Sequence, residues 1–126
     1  MKAIIDASVL LAYLLGEPGQ EVLAHEPGPF LLSSVNLAEV LTRLIDRGLD
    51  PEDITQVLKD LPVEHVVHDR ADARLAAELR PATRSHGLSL GDRACLALGR
   101  RHKLPVLTAD TQWAKIDLGI DVRLIR

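Results

Sequence analysis

Four acidic residues, Asp6, Glu39, Asp92 and Asp110, stand where carboxylates could do chemistry together. Asp6 closes a short apolar run, residues 2–5, and Asp110 closes another, residues 105–108, each just before a segment that can turn helical. Both are placed to cap a helix by accepting backbone N–H bonds. Asp92 follows Ser89 by three positions, the spacing of a capping box. Glu39 precedes Arg43 by four, the spacing of a helical ion pair. Each acid therefore has a structural explanation of its own. Jointly they point further. Ligands of an open α/β sheet bind beyond the carboxyl ends of the strands, and Asp6 and Asp110 share that edge if their strands are parallel. Glu39 lies on the second turn of a helix entered from a strand ending at Ser33, so it projects toward the same edge. Asp92 joins them if residues 69–89 return there, which the breaks at Pro81 and Gly87 permit. Four converging carboxylates cannot all stay ionised without cations. Magnesium or manganese prefers oxygen ligands and keeps several waters. A few carboxylates and a substrate phosphate would then suit phosphodiester hydrolysis, with one ion acidifying the attacking water and a second, if present, stabilising the leaving oxygen.

The elements that must position these acids alternate along the chain. Residues 2–5 read as a strand and 7–15 as a helix stopped at Gly16-Glu17-Pro18. Pro18 fits the first turn of a second helix reaching His25, and Pro27-Gly28-Pro29 leads into a strand over 30–33. Leu37, Leu41, Leu44 and Ile45 recur at helical spacing across 35–46, with Gly48 ending the run. Asp50-Pro51-Glu52 opens a fourth helix, stopped by Leu61-Pro62. A strand at 63–67, a helical stretch over 70–79 broken at Pro81, a helix from Ser89 to about His102, and strands at 105–108 and 121–125 complete the series. Such alternation predicts an α/β/α sandwich with a mostly parallel central sheet of four to five strands, because parallel neighbours need crossover connections.

A chain of 126 residues with no linker-like stretch has the size of one domain, 1–126. Hydrophobic residues make up 47% and charged residues 26%, as in ordinary globular proteins. Aromatic residues are only 2%, which argues against a nucleic-acid surface built on stacked rings. The net charge of -3 argues against a general polyanion binder, although bound metal would restore positive potential where phosphate approaches. The single cysteine, Cys95, has no partner for an intramolecular disulfide and no opening signal peptide is read, so the expected location is cytoplasmic. The longest apolar run, 9–15, is far short of the roughly 20 residues a membrane span needs.

At this point the sequence resembles the PIN-domain ribonucleases, and within them the VapC-type toxins of bacterial toxin–antitoxin modules. The resemblance covers essentially the whole chain. It rests on Ile4-Ile5-Asp6-Ala7-Ser8, Asn36-Leu37-Ala38-Glu39-Val40, Leu88-Ser89-Leu90-Gly91-Asp92-Arg93-Ala94-Cys95 and Pro105-Val106-Leu107-Thr108-Ala109-Asp110. Each motif is short; their order and spacing together are specific. The resemblance implies a PIN-like fold in which Asp6, Glu39, Asp92 and Asp110 bind Mg2+ or Mn2+, with Ser8 and Thr108 as polar helpers. It further implies an RNA substrate cut by water, a homodimer, and a cognate antitoxin whose C-terminal segment covers the site. Gln112 stands where some relatives carry another acidic or polar metal-site residue, so one firmly held ion is expected.

Other features weigh less. Arg93, Arg100, Arg101, His102 and Lys103 give one helix a basic character that could guide RNA backbone, Arg93 first because it adjoins Asp92; the alternative is a solvated helix end whose cations complement its dipole. His65 and His68 on a strand would face opposite ways, which argues against zinc. Cys95 and Trp113 read as core filling. Two alternatives to a nuclease are a catalytically silent PIN-like module that binds RNA or protein, and an aspartyl-phosphate receiver or phosphatase using Asp6. The second lacks Asp-x-Asp, since Ser8 occupies the later position, and lacks a strand-end lysine.

Overall fold

Short apolar runs with both faces covered become the three central strands, and more polar, partly exposed segments the two edges. Ala3–Ile5 forms β1, Phe30–Ser33 β2, Val63–Val66 β3, Val106–Thr108 β4 and Val122–Leu124 β5 in a computed structural model describing residues 1–126. The sheet order is β3-β2-β1-β4-β5, and every neighbouring pair is parallel. The central strands are buried throughout, as a sheet covered on both sides requires.

The helices divide between those faces for a topological reason. Right-handed crossovers put the connections on one face while the chain steps from β1 outward to β3, and on the other once it returns to β4 and β5. Ala3, Ile5, Phe30 and Leu32 accordingly pack with residues of α1 (Ala7–Leu15), α2 (Glu21–His25), α3 (Ser34–Asp46) and α4 (Pro51–Lys59). Ile4, Leu31 and Val106 face the opposite core, with α5 (Arg70–Glu78), α7 (Leu90–His102) and Trp113. Cys95 is fully buried in that second core. The reversal of strand order falls between β1 and β4, and the crevice outside their carboxyl ends is where such sheets bind ligands.

Several boundaries depart from sequence expectation. The second helix begins at Glu21, not Pro18, because the intervening Gly19 is in a left-handed conformation with φ +97 and packs on Ile125. Pro81 divides the stretch after Asp69 without ending it: it sits in the first turn of the short helix α6, Arg80–Thr83, where its missing N–H is not needed. A 3-10 turn, Arg84–His86, and left-handed Gly87 then bring the chain to α7. His68 lies beyond the end of β3, its N–H donating to Ser34 Oγ at 3.0 Å. The final helix, Thr111–Lys115, is 3-10 rather than α. No helix is long and apolar enough to cross a membrane.

Candidate active site

The site grows out of helix caps. Asp6, leaving β1, caps α1 by accepting the Val9 N–H at 3.2 Å. Its carboxylate also receives the Ser8 hydroxyl at 2.5 Å and the Thr108 hydroxyl at 2.6 Å. Both hydroxyls are themselves anchored across the sheet edge: Ser8 Oγ accepts the Ala109 N–H at 2.9 Å, and Thr108 Oγ1 accepts the Asp110 N–H at 3.0 Å. The two expected helpers thus lock the end of β1 to the end of β4. Asp110 caps the 3-10 helix through the Gln112 N–H at 2.9 Å. Asp92 and Ser89 form the full capping box at the start of α7. For these three acids capping and convergence are one geometry, because a cap at a helix that begins beyond a strand end must face the same edge.

Glu39 behaves differently from the expected ion pair. No salt bridge joins it to Arg43; its Oε1 accepts instead from Asn36 Nδ2 at 2.9 Å, and the same nitrogen donates to the Gly91 carbonyl at 3.0 Å. Asn36 is buried and fastens α3 to the first turn of α7. Gly91 completes that junction, since a Cβ there would occupy the space of the Glu39 carboxyl. These two residues carry Asp92 to the other acids. Sequence reading passed over them as motif filler, and the contact between positions 36 and 91 leaves no local signal.

Asp6, Ser8, Asn36, Glu39, Asp92 and Asp110 all line one cleft of about 370 Å³. Its electrostatics are those of carboxylates crowded away from water. Burial raises Asp6 from the ordinary 3.8 to about 6, against the lowering effect of the Ser8, Thr108 and Val9 hydrogen bonds, and the charge of Asp92 adds to the rise. Glu39 is raised by burial and by Asp92, with Asn36 and Arg43 opposing. Burial and the charge of Asp110 raise Asp92, while its Ser89 bonds and Arg93 oppose.

No three carboxylate, imidazole or thiol groups stand close enough to enclose an ion by themselves. Magnesium does not need such a cage, because it is commonly held by one or two carboxylates while keeping waters and taking substrate phosphate. The all-oxygen donor set, half to fully buried and mutually repelling, suits a hard divalent ion. The starts of α1, α7 and the 3-10 helix at the cleft add favourable field for anionic oxygens.

The basic residues of α7 lie elsewhere. Arg93 does not line the cleft; its guanidinium donates to the Ala76 carbonyl at 3.0 Å, fixing α7 to α5. Arg101 pairs with Asp69 and Asp72, and Arg100 donates to the Leu118 carbonyl. The cations lining the cleft are Arg43, Arg47 and Arg126.

The PIN domain family matches residues 3–118. Among curated protein sequences nothing matches the chain. Solved structures share its architecture. A toxin–antitoxin complex from Klebsiella pneumoniae aligns with a TM-score of 0.78 at 19% identity, covering 98% of each chain. DNA-bound VapBC from Salmonella typhimurium gives 0.73 at 16%, over 100% of this chain and 99% of that one. VapBC-5 from Mycobacterium tuberculosis gives 0.67 at 24%, over 99% and 98%. At these identities the likeness is one of fold.

Proposed function

The chain belongs to the PIN domain family, and from that premise we propose that it is a metal-dependent endoribonuclease, a single PIN domain over residues 1–126 that hydrolyses RNA phosphodiester bonds as the toxin of a toxin–antitoxin pair. The observation that carries the reading is the convergence of Asp6, Glu39, Asp92 and Asp110, from four separate elements, on one cleft where three of them have raised pKa values. Mg2+ or Mn2+ held by these carboxylates would supply an acidified water and charge neutralisation at the phosphate. The chain's own residues do the rest. Ser8 and Thr108 fix both oxygens of Asp6, so its orientation is set before any ion or substrate arrives. Asn36 fixes Glu39 against Gly91 and thereby holds α3 and α7 at a constant separation across the site.

The toxin role and the cognate antitoxin draw support from structural neighbours that are themselves toxin–antitoxin complexes. We also propose a homodimer, which the resemblance implies, and a cytoplasmic location, in keeping with the single unpaired cysteine, Cys95. The aspartyl-phosphate alternative is served less well: no lysine lines the cleft, and hydroxyl donors already occupy both oxygens of Asp6.

Incubating purified protein with RNA in magnesium, manganese or EDTA, beside folded Asp6→Asn and Asp92→Asn variants, tests the proposal. Cation-dependent cleavage lost in both variants is the expected result. RNA binding without cleavage under any metal would favour a silent module.

A further inference from the structure

One face of α3 carries a charge pattern that the four acids do not use. Glu39, Arg43 and Arg47 recur every four residues and all line the cleft. At 1.5 Å rise per residue the two arginines stand roughly 6 and 12 Å along the helix from Glu39, a spacing comparable to that of successive phosphates in an extended single strand. Arg43 has the ideal sequence offset for an ion pair with Glu39, yet Asn36 takes the carboxylate, and neither the Arg43 nor the Arg47 guanidinium makes a hydrogen bond or salt bridge, Arg47 bonding only through its backbone N–H to the end of α3. The third cleft arginine, Arg126, is already engaged by the Pro18 carbonyl at 3.0 Å and by Glu17 at 3.9 Å. Two guanidinium groups without a side-chain partner therefore line the same cleft as the acids, and the aromatic rings that would read bases are not among its lining residues.

We propose that Arg43 and Arg47 form a phosphate track, holding two consecutive phosphates of a single-stranded nucleic acid on one flank of the phosphodiester placed over the acids. Guanidinium groups suit the task because they bind phosphate oxygens through paired donors and are never neutral near pH 7. The track favours single strands: Arg43 and Arg47 are one row of cations on one helix, whereas a duplex presents two backbones. Affinity arises here from backbone charge and not from sequence. The proposal rests on the nuclease reading of the same cleft.

The test is the binding of a fluorescein-labelled single-stranded oligoribonucleotide to the full chain carrying Asp92→Asn as a non-cleaving host, followed by anisotropy at several NaCl concentrations. Arg43→Gln and Arg47→Gln should each weaken binding about threefold to tenfold and each reduce the slope of log affinity against log salt by about 0.7. Arg80→Gln with Arg84→Gln, two exposed arginines outside the cleft, should leave the slope unchanged. An unchanged slope in the Arg43 and Arg47 variants overturns the track. So does displacement of the oligonucleotide by polyglutamate at lower phosphate-equivalent concentration than by unlabelled RNA, which would assign the arginines to an acidic protein segment. The two readings fail separately: metal-dependent cleavage by the unaltered chain with arginine-independent binding removes only the track, whereas arginine-dependent binding without cleavage removes only the nuclease.

Discussion

Two clusters of acids in this molecule have opposite electrostatic fates. At the seam between α5 and α7, Asp69 and Asp72 form a capping box and both meet Arg101, at 3.2 and 2.9 Å. The backbone N–H of Asp72 and then Arg101 hold the Asp69 carboxyl below its ordinary range. In the cleft, Asp6, Glu39 and Asp92 are also capped or hydrogen-bonded, but no cation pairs with them and all three carboxyls are raised. Hydrogen bonding alone therefore does not neutralise a buried carboxylate group. The seam contains its own counter-charge and is finished as a structural joint; in the cleft no cation forms a salt bridge with the acids, the arrangement the proposed metal site requires.

The largest effect should come from the cleft. Asp6→Asn is expected to lower RNA cleavage by roughly a thousandfold at saturating magnesium, the scale on which loss of one preorganised electrostatic group is felt. A variant retaining more than a tenth of the activity would remove Asp6 from the site.

The same residue should shape stability in metal-free buffer. Folded Asp6 keeps its proton up to about pH 6, against 3.8 ordinarily, so between those values the native state binds the extra proton and its ionisation opposes folding. Its contribution is full below about pH 4 and is lost as pH rises through 6, by about 3 kcal/mol at most. Denaturant unfolding across that window should show the decline. Asp6→Asn should flatten it, and saturating magnesium should restore stability by binding only the folded state.

The seam should respond in the opposite way. Arg101→Ala leaves Asp72, whose side chain is fully buried, without its cation, and is expected to cost about 2 kcal/mol in urea unfolding. Cleavage per folded molecule should not change. A smaller effect is expected at Asn36: the Ala variant frees Glu39 and loosens α3 from α7, so cleavage should fall about tenfold, the lower range for a residue that orients a ligand, the part proposed for Glu39. If Asn36→Ala cost stability but no activity, the brace would be structural only.

Much of this was readable along the chain. The four acids were recognisable because strand-end Asp6 and Asp110 announce themselves by position, Glu39 by its helical turn and Asp92 by its capping box. The alternating pattern also gave the parallel sheet with its helical cover. What stayed hidden depended on contacts between distant segments. Arg43 read locally as the partner of Glu39, and only the Asn36 bridge to Gly91, 55 positions away, shows why that pair is not made. Arg93 and Arg101 read as free cations because Ala76, Asp69 and Asp72 meet them only when α5 packs on α7. Gly19 displaced a helix start that Pro18 suggested, since its backbone is left-handed and a side chain there would collide with Ile125.

Calorimetric titration of Mn2+ into the full chain, beside Asp6→Asn, Asp92→Asn and Asp69→Asn, addresses the central contrast most directly. The cleft account predicts saturable Mn2+ binding that is lost in the Asp6 and Asp92 variants and intact in the Asp69 variant. Binding preserved in both cleft variants, or lost only with Asp69, would contradict it.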